Sequence, residues 1–207
     1  MIVYVETNFV LEIVLAQEQH IAAETILAMA EMQKLELAFP SFIISEVYST
    51  IVRRQKERKG LLNSFQETLK QIKRSEHLKD TALSMEPLVS RLLDAETPEN
   101  DLLYNTIQKM LSVGHSIESD LQSLVEARSY QLDYDLFLPD SIIYATIIND
   151  LKKKPENEAK RFLSKDIKAF SGSRVKADLR RYKCIYFPNF DNALENIKAL
   201  QGKDNVS

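Results

Sequence analysis

The sequence predicts an α/β fold built on a parallel sheet, and three observations carry that reading. Short apolar runs alternate with longer amphipathic stretches, the rhythm of strands joined by crossover helices. "IVYV" (Ile2 to Val5) is apolar at both parities, as a strand buried on both faces must be. Glycine and proline are scarce, four and six in 207 residues, too few for a turn-rich all-β chain.

Each element follows from its local pattern. After Ile2 to Val5, "NFVLEIVLAQ" is a mostly buried helix, with Thr7 or Asn8 as candidate caps. "HIAAETILAMAEMQ", rich in Ala, Leu, Met and Glu, is a second helix. "LELAFP" is a strand ending at Pro40. "SFIISEVYSTIVRRQKERKG" puts Ile43, Ile44, Val47, Tyr48, Ile51 and Val52 on one stripe, with Gly60 placed to end the helix. From Leu61 to about residue 130 the chain is helix-compatible, amphipathic and polar, with breaks expected at "SMEP" and "ETPEND". The expected organisation is therefore a single domain over 1–207 with a mainly helical insertion at about 61–130. The core resumes at "FLPDSIIYATIINDLKKK", where Pro139 and Asp140 start a helix whose buried face is Ile142, Ile143, Ile147, Ile148 and Leu151. "AKRFLSKD" and "KCIYFPNF" supply two further strands, and "DNALENIKAL" a last helix.

Composition narrows the function classes. The apolar fraction is 44% and the charged fraction 28%, ordinary for a globular protein. No run approaches the ~20 apolar residues of a membrane span. Glu6 within the first apolar stretch argues against a secretory leader, and the lone Cys184 cannot form an internal disulfide. The expected location is cytoplasmic. Net charge is −3, so the whole chain is not a basic nucleic-acid binder. Local basic runs occur at Arg53 to Lys59, Lys152 to Lys154 and Ser173 to Lys183. Each suits a solvated helix face, and together they could rim a phosphate-binding cleft. His77 and His115 are read as surface histidines rather than metal ligands.

Ligand sites in parallel α/β folds form beyond the carboxyl ends of the strands. Four acids fall at such places: Glu6 after the first strand, Glu46 in the first turns of the helix after "LELAFP", Asp140 at a helix start, and Asp166 after "RFLS". Asp140 also suits a cap, Asp166 a turn and Glu46 a helix amino end. Glu6 interrupts an apolar stretch, where an unpaired carboxylate is costly to bury. Carboxylates brought together take up protons unless a cation neutralises them. An all-oxygen ligand set suits Mg²⁺ or Mn²⁺, ions that assist phosphodiester cleavage.

In order and setting these residues resemble the PIN-domain nucleases, a family that includes the toxin ribonucleases of bacterial toxin–antitoxin pairs. "YVETN" is similar to that family's first strand and acid, with Glu6 where the family has Asp. Glu46 in "PSFIISEVYSTI" is similar to its helix Glu, "LPDSIIYAT" to its "LPDA"-like helix start with Asp140, and "LSKDIKAF" to its acidic turn with Asp166 and Ser164. The resemblance covers about 1–60 and 137–200. It implies a three-layer α/β/α domain and a Mg²⁺- or Mn²⁺-dependent endoribonuclease acting on single-stranded RNA. Glu6, Glu46, Asp140 and Asp166 would be metal-binding and catalytic, supported by Asn8 and Ser164. It further implies an antitoxin partner if the chain is a toxin, and a homodimer. Glu6 in place of Asp keeps a second reading open, a PIN-like module that binds RNA or assembles without catalysis.

Overall fold

The computed structural model describes residues 1–204. Its elements run β1 (Ile2–Val5), α1 (Thr7–Val14), α2 (His20–Glu31), β2 (Glu36–Pro40), α3 (Phe42–Ile72), α4 (Lys79–Asp94), α5 (Glu96–Val113), β3 (His115–Ile117), α6 (Leu121–Tyr134), α7 (Leu138–Leu151), β4 (Lys160–Leu163), α8 (Ile167–Phe170), α9 (Ser173–Arg181), β5 (Cys184–Phe187) and α10 (Phe190–Asp204). The strands form one five-stranded sheet in the order β3-β2-β1-β4-β5, and every pairing is parallel. Each strand therefore needs a helical crossover to return to its starting edge. Chain direction reverses across the sheet between β1 and β4, where Val5 pairs with Leu163.

The central strand is fully enclosed: Ile2, Val3, Tyr4 and Val5 are all at 0% exposure. Helices α1, α2 and α10 group together, with Phe9 edge-on to Phe190 at 5.7 Å. Tyr144 of α7 meets Phe170 of α8, which in turn stands edge-on to Phe162 of β4 at 5.1 Å. These groupings are consistent with a three-layer α/β/α arrangement. Ala127 of α6 and Ala145 of α7, both at 0% exposure, pack with Ile142, Phe42 and Tyr130. Tyr4 Oη donates to Asp150 Oδ2 at 2.7 Å, tying α7 to the middle of the sheet through two buried polar groups. No described helix is long and apolar enough to cross a membrane.

The chain divides into two compact units, 1–47 with 105–207, and 48–104. The helical unit thus starts and ends earlier than the expected 61–130. Residues 115–117, expected as helix, form β3 and extend the sheet, pairing with Ala38, Phe39 and Pro40. Gly60 does not stop its helix, since α3 runs on to Ile72, and a Cβ there would meet nothing within 4 Å. "SMEP" is not a break either, because Pro87 lies inside α4. A break does fall before "ETPEND", with α5 starting at Glu96. Within this unit Leu62, Leu69, Ala82 and Val89 form a small core. Arg58 makes a two-pronged contact to Glu99, both bonds at 2.7 Å, and Gln55 donates to Asn100 at 3.0 Å.

Candidate functional site

All four sequence-nominated acids belong to the sheet-bearing unit, and each is set by the element that carries it. Glu6 follows β1 directly and is itself the cap of α1: its Oε2 accepts from the Asn8 backbone N–H at 2.8 Å. Thr7 and Asn8 are therefore not the caps. Thr7 is the first helical residue, and its hydroxyl donates to Glu46 Oε2. Glu46 stands one turn into α3, the helix entered from β2. Asp140 is in the first turn of α7, just after Pro139, and makes no cap; Phe137 holds the cap position. Asp166 follows β4 and caps α8, accepting from the Ala169 N–H at 2.8 Å. Its own N–H donates to the Ser164 hydroxyl at 3.0 Å.

Strand register explains the gathering. Glu6 and Ser164 are the residues that follow the paired Val5 and Leu163 at the carboxyl ends of adjacent strands. That is the point between β1 and β4 where the chain's direction across the sheet reverses, the favoured place for a ligand in such sheets. The acids feel one another there. Burial raises the proton affinity of Asp140, and the charges of Asp166 and Glu46 add to it, pushing its pKa up to about 6. Glu46 is raised by burial and by Asp166, with the Thr7 hydroxyl acting in the opposite sense.

Glu6 is the extreme case. It is 3% exposed, and burial, with the charge of Glu46 adding, pushes its pKa up to about 8 against the opposing pull of Asn8 and Ser164. The Ser164 hydroxyl lies close enough to act on Glu6 without making an aligned hydrogen bond to Oε1. That oxygen is buried and has no hydrogen-bond partner. An orphaned carboxylate oxygen of this kind is costly unless something else meets it.

The donor set fits a hard divalent cation in chemistry: carboxylates and hydroxyls only, with one buried oxygen unpartnered. The side chains are not closed around a point. Among the described residues no three acidic, histidine or cysteine side chains are grouped as metal ligands; Thr7 holds Glu46 and the α8 backbone holds Asp166. Asp140 and Asp166 nevertheless line one cleft of about 30 Å³ with Phe137 and Lys168, room for one or two water-sized groups.

Two of the basic runs carry ion pairs of their own. Lys152 pairs with Glu126 and Lys154 with Glu36; they follow the carboxyl end of α7, roughly 18 Å along the helix from Asp140. In the third run Arg181 pairs with Asp178 and Lys183 with Glu156. The run at Arg53 to Lys59 belongs to the other unit. The cations beside the acids are Lys165, paired with the buried Glu12 at 2.5 Å, and Lys168. Both flank Asp166 in "SKDIK", a local signal the longer basic runs overshadow. Compared with protein-family models, curated proteins and solved structures, the chain matches none.

Proposed function

We propose that the chain is a PIN-like, Mg²⁺- or Mn²⁺-dependent phosphodiesterase acting on single-stranded RNA. The observation that supports the reading is that Glu6, Glu46 and Asp140, from three separate segments, are each raised in proton affinity by burial and, secondarily, by a neighbouring acid of the set, while Asp166 shares a cleft with Asp140. Asp140 and Asp166, which share the cleft, with Glu46 and Glu6 beside them, would hold the cation. When bound, the cation supplies Lewis-acid polarisation of a phosphate and a more acidic water. Asn8 and Ser164 orient Glu6 and Asp166 through the contacts described above. Thr7 fixes the Glu46 carboxylate. One of the four acids, through water, would take the proton of the attacking group.

The direct test is Asp140→Asn. Manganese-dependent cleavage of single-stranded RNA should disappear while the far-ultraviolet circular dichroism stays that of the parent. Unchanged cleavage overturns the assignment.

Two observations favour a second reading, a PIN-like module that binds or assembles without cutting: position 6 is Glu rather than Asp, and no three ligands are grouped. Manganese titration separates the two, since only the nuclease needs saturable binding that depends on Asp140 and Asp166. If the chain is a toxin, co-expression of a small antitoxin from a neighbouring reading frame should suppress its RNA cleavage. A homodimer would show in the sedimentation mass.

A further inference from the structure

Phe137 occupies a place that helix chemistry does not explain. It caps α7 with an extended backbone, φ −67° and ψ 157°, and its side chain makes no cap hydrogen bond, where Ser, Thr, Asp or Asn would be favoured. Its ring is 67% exposed, and the neighbouring Leu138 and Ile167 are 53% and 57% exposed. Lys168 Nζ stands 5.2 Å from the centre of the ring, within the range of a cation–π contact. Among the described residues no carboxylate lies within ion-pair distance of Lys168, whereas Lys165 is taken by Glu12. Ring and ammonium line the same cleft as Asp140 and Asp166. The unit thus presents an open aromatic surface and, over it, a cation with no ion pair among the described residues, one helical turn from an acid proposed to act on phosphate.

We infer that Phe137 and Lys168 hold one unpaired nucleotide of single-stranded RNA, the base stacked on the open part of the ring and a phosphate paired with the ammonium. The inference deepens the nuclease reading and rests on it. A single exposed ring reaches a base only when that base is out of a duplex stack. The contact therefore selects for unpaired RNA and is indifferent to sequence, because every base offers a flat face. Lys168 supplies the positive charge that a phosphate needs to approach four acids, and it fixes that phosphate at the mouth of the Asp140–Asp166 cleft. Phe137 and Lys168 are positioning groups for the nucleotide.

The test is fluorescence anisotropy with a short labelled oligouridylate in calcium buffer, beside an abasic oligomer of the same length. Phe137→Ala should weaken oligouridylate binding by about 5- to 150-fold, and Phe137→Trp should retain it. The abasic oligomer should bind the parent about as weakly as the oligouridylate binds Phe137→Ala. Lys168→Ala should lower the slope of log affinity against log salt by about 0.7. Equal binding by the parent and Phe137→Ala, equal binding of the two oligomers, or no binding at all overturns the inference. Parent protein that cuts RNA with Phe137 irrelevant to binding sinks the stacking and spares the nuclease. Phe137-dependent binding without any cutting does the reverse.

Discussion

Replacing Glu6 by Gln should stabilise the metal-free protein at alkaline pH and destabilise it in acid. The amide keeps an oxygen to accept from the Asn8 N–H, so the cap of α1 survives. What disappears is a carboxyl whose pKa goes from an ordinary 4.5 up to about 8 on folding, chiefly through burial. Below pH 4.5 the group is protonated in both states, and its contribution to folding is fully present. Between pH 4.5 and 8 the unfolded chain ionises while the folded chain holds its proton. Stability then falls by up to ~1.4 kcal/mol per pH unit, roughly 5 kcal/mol over the window, and levels off above it. Gln leaves a buried N–H group without a partner where Oε1 has none, at a cost of about 1–3 kcal/mol. The variant should therefore exceed the parent by about 2–4 kcal/mol near pH 9. Near pH 4.5, where that cost stands alone, it should fall below the parent by about 1–3 kcal/mol. Urea unfolding followed by circular dichroism, in chelator at several pH values, reads this directly. A difference that stays flat across the range refutes the claim that Glu6 is ionised at the expense of the fold. Added Mn²⁺ should reverse the order near neutral pH, by stabilising the parent more than the variant.

Other perturbations isolate other parts of the site and the fold. Manganese binding at pH 7 should release close to one proton from Glu6, whose pKa is about 8, and a further fraction from Asp140. Calorimetry in buffers of different ionisation enthalpy counts these, and no release would contradict the raised affinities. Thr7→Val removes the donor to Glu46; it should cost about 1–2 kcal/mol of stability and weaken manganese binding, both read by thermal shift with and without metal. Gly60→Ala, in the open interior of α3, should stabilise by about 0.5–1 kcal/mol in urea unfolding. Gly114→Ala should destabilise by about 1–3 kcal/mol in the same assay, because a Cβ there would lie 2.9 Å from Met110 O and from Phe39 Cε1.

The parts of the fold legible in the sequence are those where burial on both sides forces an apolar run. β1 and β2 announce themselves in this way, whereas β4 opens on the charged Lys160 and Arg161, and β5 buries only Cys184 of its four residues. α7 announces itself as well, its expected face of Ile142, Ile143, Ile147, Ile148 and Leu151 being wholly buried. β3 does not. It has three residues at the sheet edge, one of them exposed, too short for any period, and its pairing comes from β2 rather than from its own sequence. The nearest signal is Gly114, which lets the chain pass close over Leu37 and Phe39. Gly60 and Pro87 mislead for a related reason: tertiary packing within the helical unit overrides a local breaker. The stripe on α3 is half right. Ile43, Val47 and Ile51 are buried, while Tyr48 and Val52 are exposed.

Glu6 and Asp166 stand out in the sequence because they follow β1 and β4, where a parallel sheet collects polar side chains, whereas Asp140 opens α7 directly after α6 and Glu46 lies a turn into α3. Their hydrogen bonds are not legible, since these depend on register and packing. Glu6 shows what the register adds. Capping α1 accounts for Oε2, and Asp or Ser would do that as well or better. It does not account for Oε1, buried without a partner beside Glu46. A carboxyl that costs stability through neutral pH, in a position a shorter cap would fill without that cost, suits a fold whose working state has a positive charge at that edge of the sheet. The neighbouring acids depart from their ordinary affinities in the same direction. One cation would relieve Glu6, Glu46 and Asp140 together, whereas hydrogen bonds would have to relieve each separately. Stabilisation by Mn²⁺ should for that reason fall by less than the sum of the single effects when Glu6→Gln and Asp140→Asn are combined.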